Sequence, residues 1–138
     1  MGTKGRAARK IYGKLWTTFE RLCKVAHETD TKIAIEWPSG CIYWKKPAVR
    51  KLIEPYKLEP VKFHGCAIGV TSKAPKTKGK PMYKPWTIYT NCDEIIKGFK
   101  NKLCSKDHEH VHCRGKDAKQ SEGYSREFAN ILTTAFKR

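Results

Sequence analysis

The chain has 138 residues, which is the size of one ordinary domain and too short for two sizeable cores. It carries 29 Lys and Arg against 13 Asp and Glu, a formal net charge of +16, while 39% of its residues are hydrophobic, which excludes a wholly disordered basic tail. No run approaches the roughly 18 apolar residues of a membrane span, and residues 1–10 lack the apolar stretch of a secretory signal. We therefore expect a single basic domain over residues 1–138, without a membrane partner, in the nucleus or the cytoplasm.

The first predicted element is a helix over residues 4–27. Apolar side chains recur there every three or four positions, which is typical of a helix with one buried face. The predicted inward residues are Ala8, Ile11 or Tyr12, Leu15, Trp16, Phe19, Leu22 and Ala26. Basic residues follow the same period on the opposite side, and they form either a surface that lies along phosphates or an ordinary solvated face.

A strand and a second helix follow. Residues 32–38 are a short apolar run that predicts a buried strand ending at Pro38, with Glu36 near its C-terminal end. Residues 46–56 predict a helix that Pro55 ends or kinks. The residues after it, 60–70, are again strand-like.

Residues 71–84 have low hydrophobicity and are punctuated by proline and glycine, which predicts a flexible loop suited to reaching phosphates. A strand over 85–90, a helix over 94–103 and a last helix over 125–136 complete the order, the last with Phe128, Ile131, Leu132 and Phe136 buried. Alternating helices and strands of this kind predict an α/β fold, with a small sheet of about three strands covered by about four helices.

A short segment between the last two helices is dense in metal-ligand side chains. Cys104, His108, His110 and Cys113 lie within ten residues, and zinc prefers thiolate and imidazole ligands in tetrahedral sets. Because this spacing is tighter than that of ordinary zinc fingers, three local ligands with a remote cysteine are an equal alternative. The remote ligand would be Cys66 or Cys92. The opposing interpretation has no metal: the histidines bond the backbone and the cysteines pack.

Aromatic residues interleaved with lysines are a second feature. Exposed rings beside cations suit unstacked bases, because stacking tolerates any base and the lysines hold phosphates. Most aromatic side chains are needed for the core, and Tyr43 and Tyr83 are the best candidates for base contacts.

Patterns for catalysis are mostly absent. The chain has no Gly-x-Gly-x-x-Gly loop, no Walker phosphate loop, no Gly-x-Ser-x-Gly elbow and no His-Glu-x-x-His motif. The best candidate for a functional carboxylate is Glu36, because α/β proteins place ligand groups at the carboxyl ends of buried strands. The alternative for Glu36 is an ordinary salt bridge.

Several motifs resemble a known module. They are Ile35-Glu36-Trp37-Pro38-x-x-Cys41-x-Tyr43-Trp44, His64-Gly65-Cys66-x-x-Gly69, Lys84-Pro85-Trp86-x-Ile88-x-Thr90, and His108-Glu109-His110 with Cys113-x-Gly115. Over residues 11–138 they resemble a module associated with retroelement polyproteins and with proteins of marine eukaryotes. That module is similar in turn to the C-terminal half of cytosine-5 DNA methyltransferase catalytic domains.

In those methyltransferases a strand ends in a Glu-Asn-Val motif whose glutamate contacts the target cytosine, and Glu36 occupies the comparable place. The chain has neither their Pro-Cys nucleophile dipeptide nor their glycine-rich cofactor turn. The resemblance therefore implies an α/β fold, a nucleic-acid context and a fragment or degenerate relative, and it does not imply methyl transfer.

Taken together, these features predict a nucleic-acid-binding domain, of DNA or RNA, that is not an enzyme. Its binding would be weakly sequence-specific and salt-sensitive, because phosphate contacts dominate. The predicted contacts are Lys10, Lys14, Arg21, Lys45, Lys46, Lys73, Lys76, Lys78 and Lys80. One alternative is a nucleic-acid-modifying enzyme, or its inactive remnant, with Glu36 and the region of His108 and His110 lining a pocket. The other is a structural subunit of a ribonucleoprotein.

Overall fold

The computed structural model describes residues 3–112 and 124–136, and side chains within residues 12–112 and 124–136. In these ranges it contains a three-stranded antiparallel sheet and four α-helices, which confirms the predicted mixed α/β fold. The helices are α1 (Thr3–Glu28), α2 (Pro47–Ile53), α3 (Asp93–Phe99) and α4 (Arg126–Phe136). The strands are β1 (Ala34–Pro38), β2 (Glu59–His64) and β3 (Pro85–Thr90). Two 3₁₀ helices, Ile42–Lys45 and Gly65–Ile68, follow β1 and β2.

The strand order β1-β3-β2 decides which loops meet. β3 lies in the centre and pairs antiparallel with both neighbours, so that Pro38 of β1 is opposite Trp86 and His64 of β2 is opposite Pro85. Both outer strands therefore end where β3 begins. We call this end of the sheet, formed by Pro38, His64 and Pro85, the hairpin end.

The sheet separates two apolar clusters, because successive strand residues point to opposite faces. On one face Phe63 and Trp86 pack with Phe99 of α3 and Phe128 of α4. The cluster on the other face joins Ile35 of β1 to α1 and α2. Helices thus cover both faces, as the alternating pattern predicts.

Two of the predicted inward residues of α1 are exposed. Leu15 and Leu22 are 65% and 60% exposed, whereas Trp16 and Cys23, one position later, are buried. Since each residue turns an α-helix by about 100°, the leucines lie well away from the residues that meet the sheet. The structure confirms four predicted inward residues, which pack in one apolar cluster: Tyr12, Trp16, Phe19 and Ala26. The side chains of Ala8 and Ile11 lie outside those described. In the described part of the chain no helix, α1 included, is both long and apolar enough to cross a membrane.

The predicted loop over residues 71–84 is hydrogen-bonded into a hairpin, which we call the lysine hairpin. The backbone N–H of Met82 donates to Val70 O at 3.1 Å, and that of Ser72 donates to Lys80 O at 2.9 Å. Gly79 turns the chain with a φ of 85° and donates to Ser72 O at 2.9 Å. These bonds position the lysines between them on a defined turn, and the flexibility of this segment stays a prediction.

Candidate metal centre and basic surface

Two cysteines and two histidines from separate segments meet at the hairpin end. Cys66 lies in the 3₁₀ helix that follows β2, and Cys104, His108 and His110 lie in the segment after α3. Each offers one sulfur or ring nitrogen as a ligand atom, and these four atoms all lie within 4.8 Å of one another. The fold therefore gathers two thiols and two imidazoles at one point, which we call the Cys/His cluster.

Distances within the cluster are close to those of a tetrahedral metal site. Cys104 Sγ is 3.4 Å from His110 Nε2 and 3.7 Å from His108 Nε2, and the two Nε2 atoms are 3.0 Å apart. A zinc ion about 2.3 Å from sulfur and about 2.0–2.1 Å from nitrogen places tetrahedral neighbours about 3.3–3.8 Å apart. Two thiolates and two imidazoles are also a common structural zinc set.

Residues of the same loop orient the ligand atoms. Asp107 Oδ1 accepts hydrogen bonds from Ser105 Oγ and, at 2.8 Å, from His108 Nδ1. These two bonds lower the pKa of Asp107, and the bond from Ser105 has the larger effect. Because the ionised carboxylate only accepts, His108 carries its proton on Nδ1 and directs the lone pair of Nε2 into the cluster. The backbone N–H of Lys106 donates to Cys104 Sγ at 3.3 Å.

The thiol of Cys66 is held in its protonated form when no cation is present. Burial, and then Cys104, raise its pKa to about 11. A divalent cation reverses this effect, because a coordinating thiol is deprotonated outright. A cation bound in the cluster would therefore stabilise the Cys66 thiolate, which is the form that burial and Cys104 disfavour.

His64 connects the two ligand segments and was missed as a site residue by sequence reasoning. Its Nδ1 accepts the backbone N–H of Cys104 at 2.7 Å, and the backbone N–H of His64 donates to Lys102 O at 2.9 Å. Its Nε2 lies 3.1 Å from Tyr83 Oη. Burial, and then the charges of His110 and Lys106, lower the pKa of His64, which favours this neutral form. No local pattern shows a contact between residues 40 positions apart.

The outcome for the predicted metal ligands is mixed. The structure brings Cys104, His108 and His110 together, while Cys113 lies outside the described residues. Of the two remote cysteines, Cys66 joins the cluster. Cys92 follows the other end of β3, where it is buried with its Sγ 3.6 Å from Glu94 Oε2.

The lysine hairpin is attached to the Cys/His cluster. The N–H of Val111, next to His110, donates to Pro81 O at 3.0 Å, and the N–H of Gly65, next to Cys66, donates to Tyr83 O at 2.8 Å. The rings of Tyr83 and His110 are 5.3 Å apart. Both ligand segments therefore touch the base of the hairpin.

Positive charge collects at the same end of the sheet. Between Glu59 and Asp93 the sequence has six lysines and no acidic residue. Four of the six, all predicted contacts, are exposed on the lysine hairpin: Lys73, Lys76, Lys78 and Lys80. The hairpin therefore presents four lysines from a stretch of sequence that contains no acidic residue.

The other predicted cations lie on two further segments. Lys45 is exposed and Lys46 half-buried in the segment that leaves β1 at the hairpin end. Lys46 Nζ lies 5.1 Å from the ring centre of Tyr12, which brings the N-terminal half of α1 to this segment. Lys14 and Arg21 of α1 are exposed. The predicted contact Lys10 belongs to α1, and its side chain lies outside those described.

Acidic residues flank the opposite end of the sheet, formed by Ala34, Glu59 and Thr90. Those at the ends of the strands there, or within five positions beyond them along the chain, are Asp30, Glu54, Glu59, Asp93 and Glu94. Some of them line a surface groove with His27, Tyr56 and Asn91. These five acidic residues thus lie beside the end of the sheet that is opposite the lysine hairpin.

The two predicted stacking residues differ in accessibility. Tyr83 is 41% exposed beside the lysine hairpin. Tyr43 is half-buried, and its ring stacks on Tyr12 with centres 4.0 Å apart. Tyr83 therefore has the more open ring for a base.

Glu36, the predicted functional carboxylate, links β1 to the segment preceding α4. Its Oε2 accepts a hydrogen bond from Tyr124 Oη at 2.8 Å, and the Tyr124 ring stacks on Phe128 at 4.3 Å. Burial raises the pKa of Glu36, while Tyr124 and the charge of Lys84 partly oppose this. Burial and Glu36 raise the pKa of Tyr124 to about 12, so that its hydroxyl stays protonated and donates.

We expect Glu36→Gln to raise the free energy of unfolding at neutral pH. A carboxyl whose folded pKa is raised stabilises the fold below its unfolded pKa, and this contribution is lost as pH rises through the folded pKa. The glutamine keeps an acceptor for Tyr124 and has no charge to bury. Urea unfolding should show the gain disappearing below about pH 4, where the wild-type carboxyl is protonated. A variant less stable than wild type at neutral pH would contradict this, and the exposed Glu109→Gln is the control.

Comparison of the chain with protein-family models, with curated proteins and with solved structures finds no match in any of the three. The resemblance to the retroelement-associated module and to cytosine-5 DNA methyltransferases therefore stays a prediction. What this chain does has to be inferred from the geometry of the Cys/His cluster and the basic surface.

Proposed function

We propose that this protein is a nucleic-acid-binding domain whose lysine hairpin contacts phosphates without reading sequence. One observation supports the proposal above the others: the stretch between Glu59 and Asp93 has no acidic residue, and its hydrogen-bonded hairpin exposes four lysines at one end of the sheet. Closely spaced cations displace the counterions condensed on a polyanion, and that release drives binding.

Two further observations fit this proposal. The segment with Lys45 and Lys46 follows β1 at the hairpin end. A nucleic-acid backbone that lies across this end would therefore meet both this segment and the lysine hairpin. Tyr83, 41% exposed at the base of the hairpin, offers a ring on which an unpaired base can stack. Phosphate contacts of this kind set position and affinity but carry no sequence information.

The test replaces the four hairpin lysines, Lys73, Lys76, Lys78 and Lys80, with glutamine. Binding to labelled single-stranded and duplex DNA and RNA is then measured across a salt series. We expect affinity to fall by at least about tenfold at low salt, equally for unrelated sequences. The slope of log affinity against log salt should become shallower by about 1 for each lysine that contacts a phosphate.

A matched control removes the same charge elsewhere. Replacing the exposed lysines Lys24, Lys32, Lys51 and Lys97 with glutamine lowers the net charge equally but leaves the lysine hairpin intact. We expect this control to retain most of the salt slope. Equal losses in the two variants would show that net charge alone drives binding, and absence of wild-type binding at low salt would reject the proposal.

A further inference from the structure

We propose that Cys66, Cys104, His108 and His110 bind a structural zinc ion that fixes the lysine hairpin to the end of the sheet. The inference does not depend on nucleic-acid binding, since it concerns how the hairpin is held. It extends the sequence-based expectation by assigning the fourth ligand to Cys66, 38 positions before Cys104.

The donor chemistry favours zinc. Thiolate and imidazole ligands together suit this ion, whereas magnesium and calcium take oxygen ligands. The separations among the ligand atoms of Cys104, His108 and His110 are 3.0, 3.4 and 3.7 Å, close to those of a tetrahedral zinc site, and the ligand atom of Cys66 lies within 4.8 Å of each. Four protein ligands fill the tetrahedron and leave no position for substrate, so the site is structural.

The surrounding contacts support the same assignment. Asp107 accepts the Nδ1 proton of His108, as carboxylates beside metal sites do for metal-bound imidazoles, and the backbone N–H of Lys106 donates to Cys104 Sγ. His64 does not compete as a ligand through Nδ1, because that atom accepts the Cys104 N–H. The ligands and their supports thus form one connected set.

Zinc at this point would restrain the lysine hairpin. Gly65 and Val111, each adjacent to a ligand, bond to Tyr83 and Pro81 at the base of the hairpin. At the base of the hairpin, Val70 and Met82 are packed in the apolar core. A metal bound to both Cys66 and His110 would hold Gly65 and Val111 close together, and these two residues bond to the base of the hairpin.

The first measurement is the metal content of the purified full chain by plasma mass spectrometry. We expect about one zinc ion per chain, and tetrahedral absorption with thiolate charge transfer after exchange into cobalt. The cobalt spectrum needs no variant and so does not depend on whether a variant folds. Absence of zinc together with an octahedral cobalt spectrum would overturn the proposal. So would an intact mass showing that Cys66 and Cys104 have lost two hydrogens to a disulfide.

Variants then test the ligand set. Cys66→Ser and His110→Ala should lose most of the zinc, and His110→Cys should retain it because thiolate replaces imidazole. Cys41→Ser, which changes a cysteine of the other apolar cluster, is the matched control and should keep full occupancy. Cys113→Ser should also keep it. Loss of zinc in Cys113→Ser with retention in Cys66→Ser would overturn the assignment of Cys66.

Trypsin tests the restraint on the hairpin. It cuts after Lys73, Lys76 and Lys78, whereas Lys80 and Lys84 precede proline. We expect the chelated wild-type protein to be cut at these three bonds at least about tenfold faster than the zinc-bound protein, because local opening exposes the backbone to the protease. Equal cutting rates with and without zinc would overturn the restraint.

Discussion

Replacing Phe63 with alanine is expected to remove about 3 to 5 kcal/mol from the free energy of unfolding. Phe63 is fully buried in β2, and its ring lies 4.4 Å from that of Phe99 and 5.5 Å from that of Trp86. The truncation loses the transfer free energy of the ring and leaves a cavity that aromatic neighbours on three elements cannot easily fill. Thermal unfolding should show a midpoint lower by on the order of 10–20 °C.

Phe136 provides the matched control. It is the same residue type near the end of α4 but is 71% exposed, although the helical pattern predicts it inward. We expect Phe136→Ala to change the free energy of unfolding by less than about 0.5 kcal/mol. A cost below about 1 kcal/mol for Phe63→Ala, or similar costs for the two variants, would mean that Phe63 does not lie in the core described above.

Zinc affinity is expected to fall by about 10- to 100-fold when Asp107 is replaced by asparagine. The carboxylate accepts the Nδ1 proton of His108 and so directs Nε2 toward the metal, and an amide oxygen does this without charge. Asp107 acts as a positioning residue, because it does not itself belong to the ligand set. Competition with a chromophoric chelator measures the change. This prediction depends on the proposed zinc site.

Glu109→Gln is the control for charge. It removes one negative charge from the same exposed loop, two positions from Asp107, and leaves the bond between Asp107 and His108 in place. Zinc affinity within about threefold of wild type is expected for it, since the remaining effect is screened long-range attraction. Equal losses for the two variants would assign the role of Asp107 to its charge alone.

Local sequence patterns predicted the positions of β3 and α4 well, because periodicity and turn residues within the segment itself determine them. The alternation and punctuation around residues 85–90 match β3, and the periodic run over 125–136 matches α4 to within a residue. The direction of burial was harder to predict, as Leu15, Leu22 and Phe136 show. An apolar residue on a helix is buried only where another element covers it, and no local pattern reveals which side is covered.

The candidate metal site was also predictable from the sequence only in part. Cys104, His108 and His110 stand close together in the sequence, so a metal site was one of the two interpretations that the sequence offered for them. The choice of Cys66 over Cys92 depends on strand register: Cys66 follows β2 at the hairpin end, and Cys92 follows β3 at the opposite end. The hydrogen bond from the backbone of Cys104 to His64, which connects the two ligand segments, depends on the same register.

By itself, the sequence determined the mixed α/β class, the position of the main elements and the excess of positive charge, because composition and hydrophobic periodicity are properties of short stretches of chain. Only the tertiary structure decided that the lysine hairpin, the segment with Lys45 and Lys46, and the Cys/His cluster share one end of the sheet. The reason is the antiparallel order β1-β3-β2, which brings together the ends of two strands and the beginning of a third. These are non-local pairings that no single segment encodes.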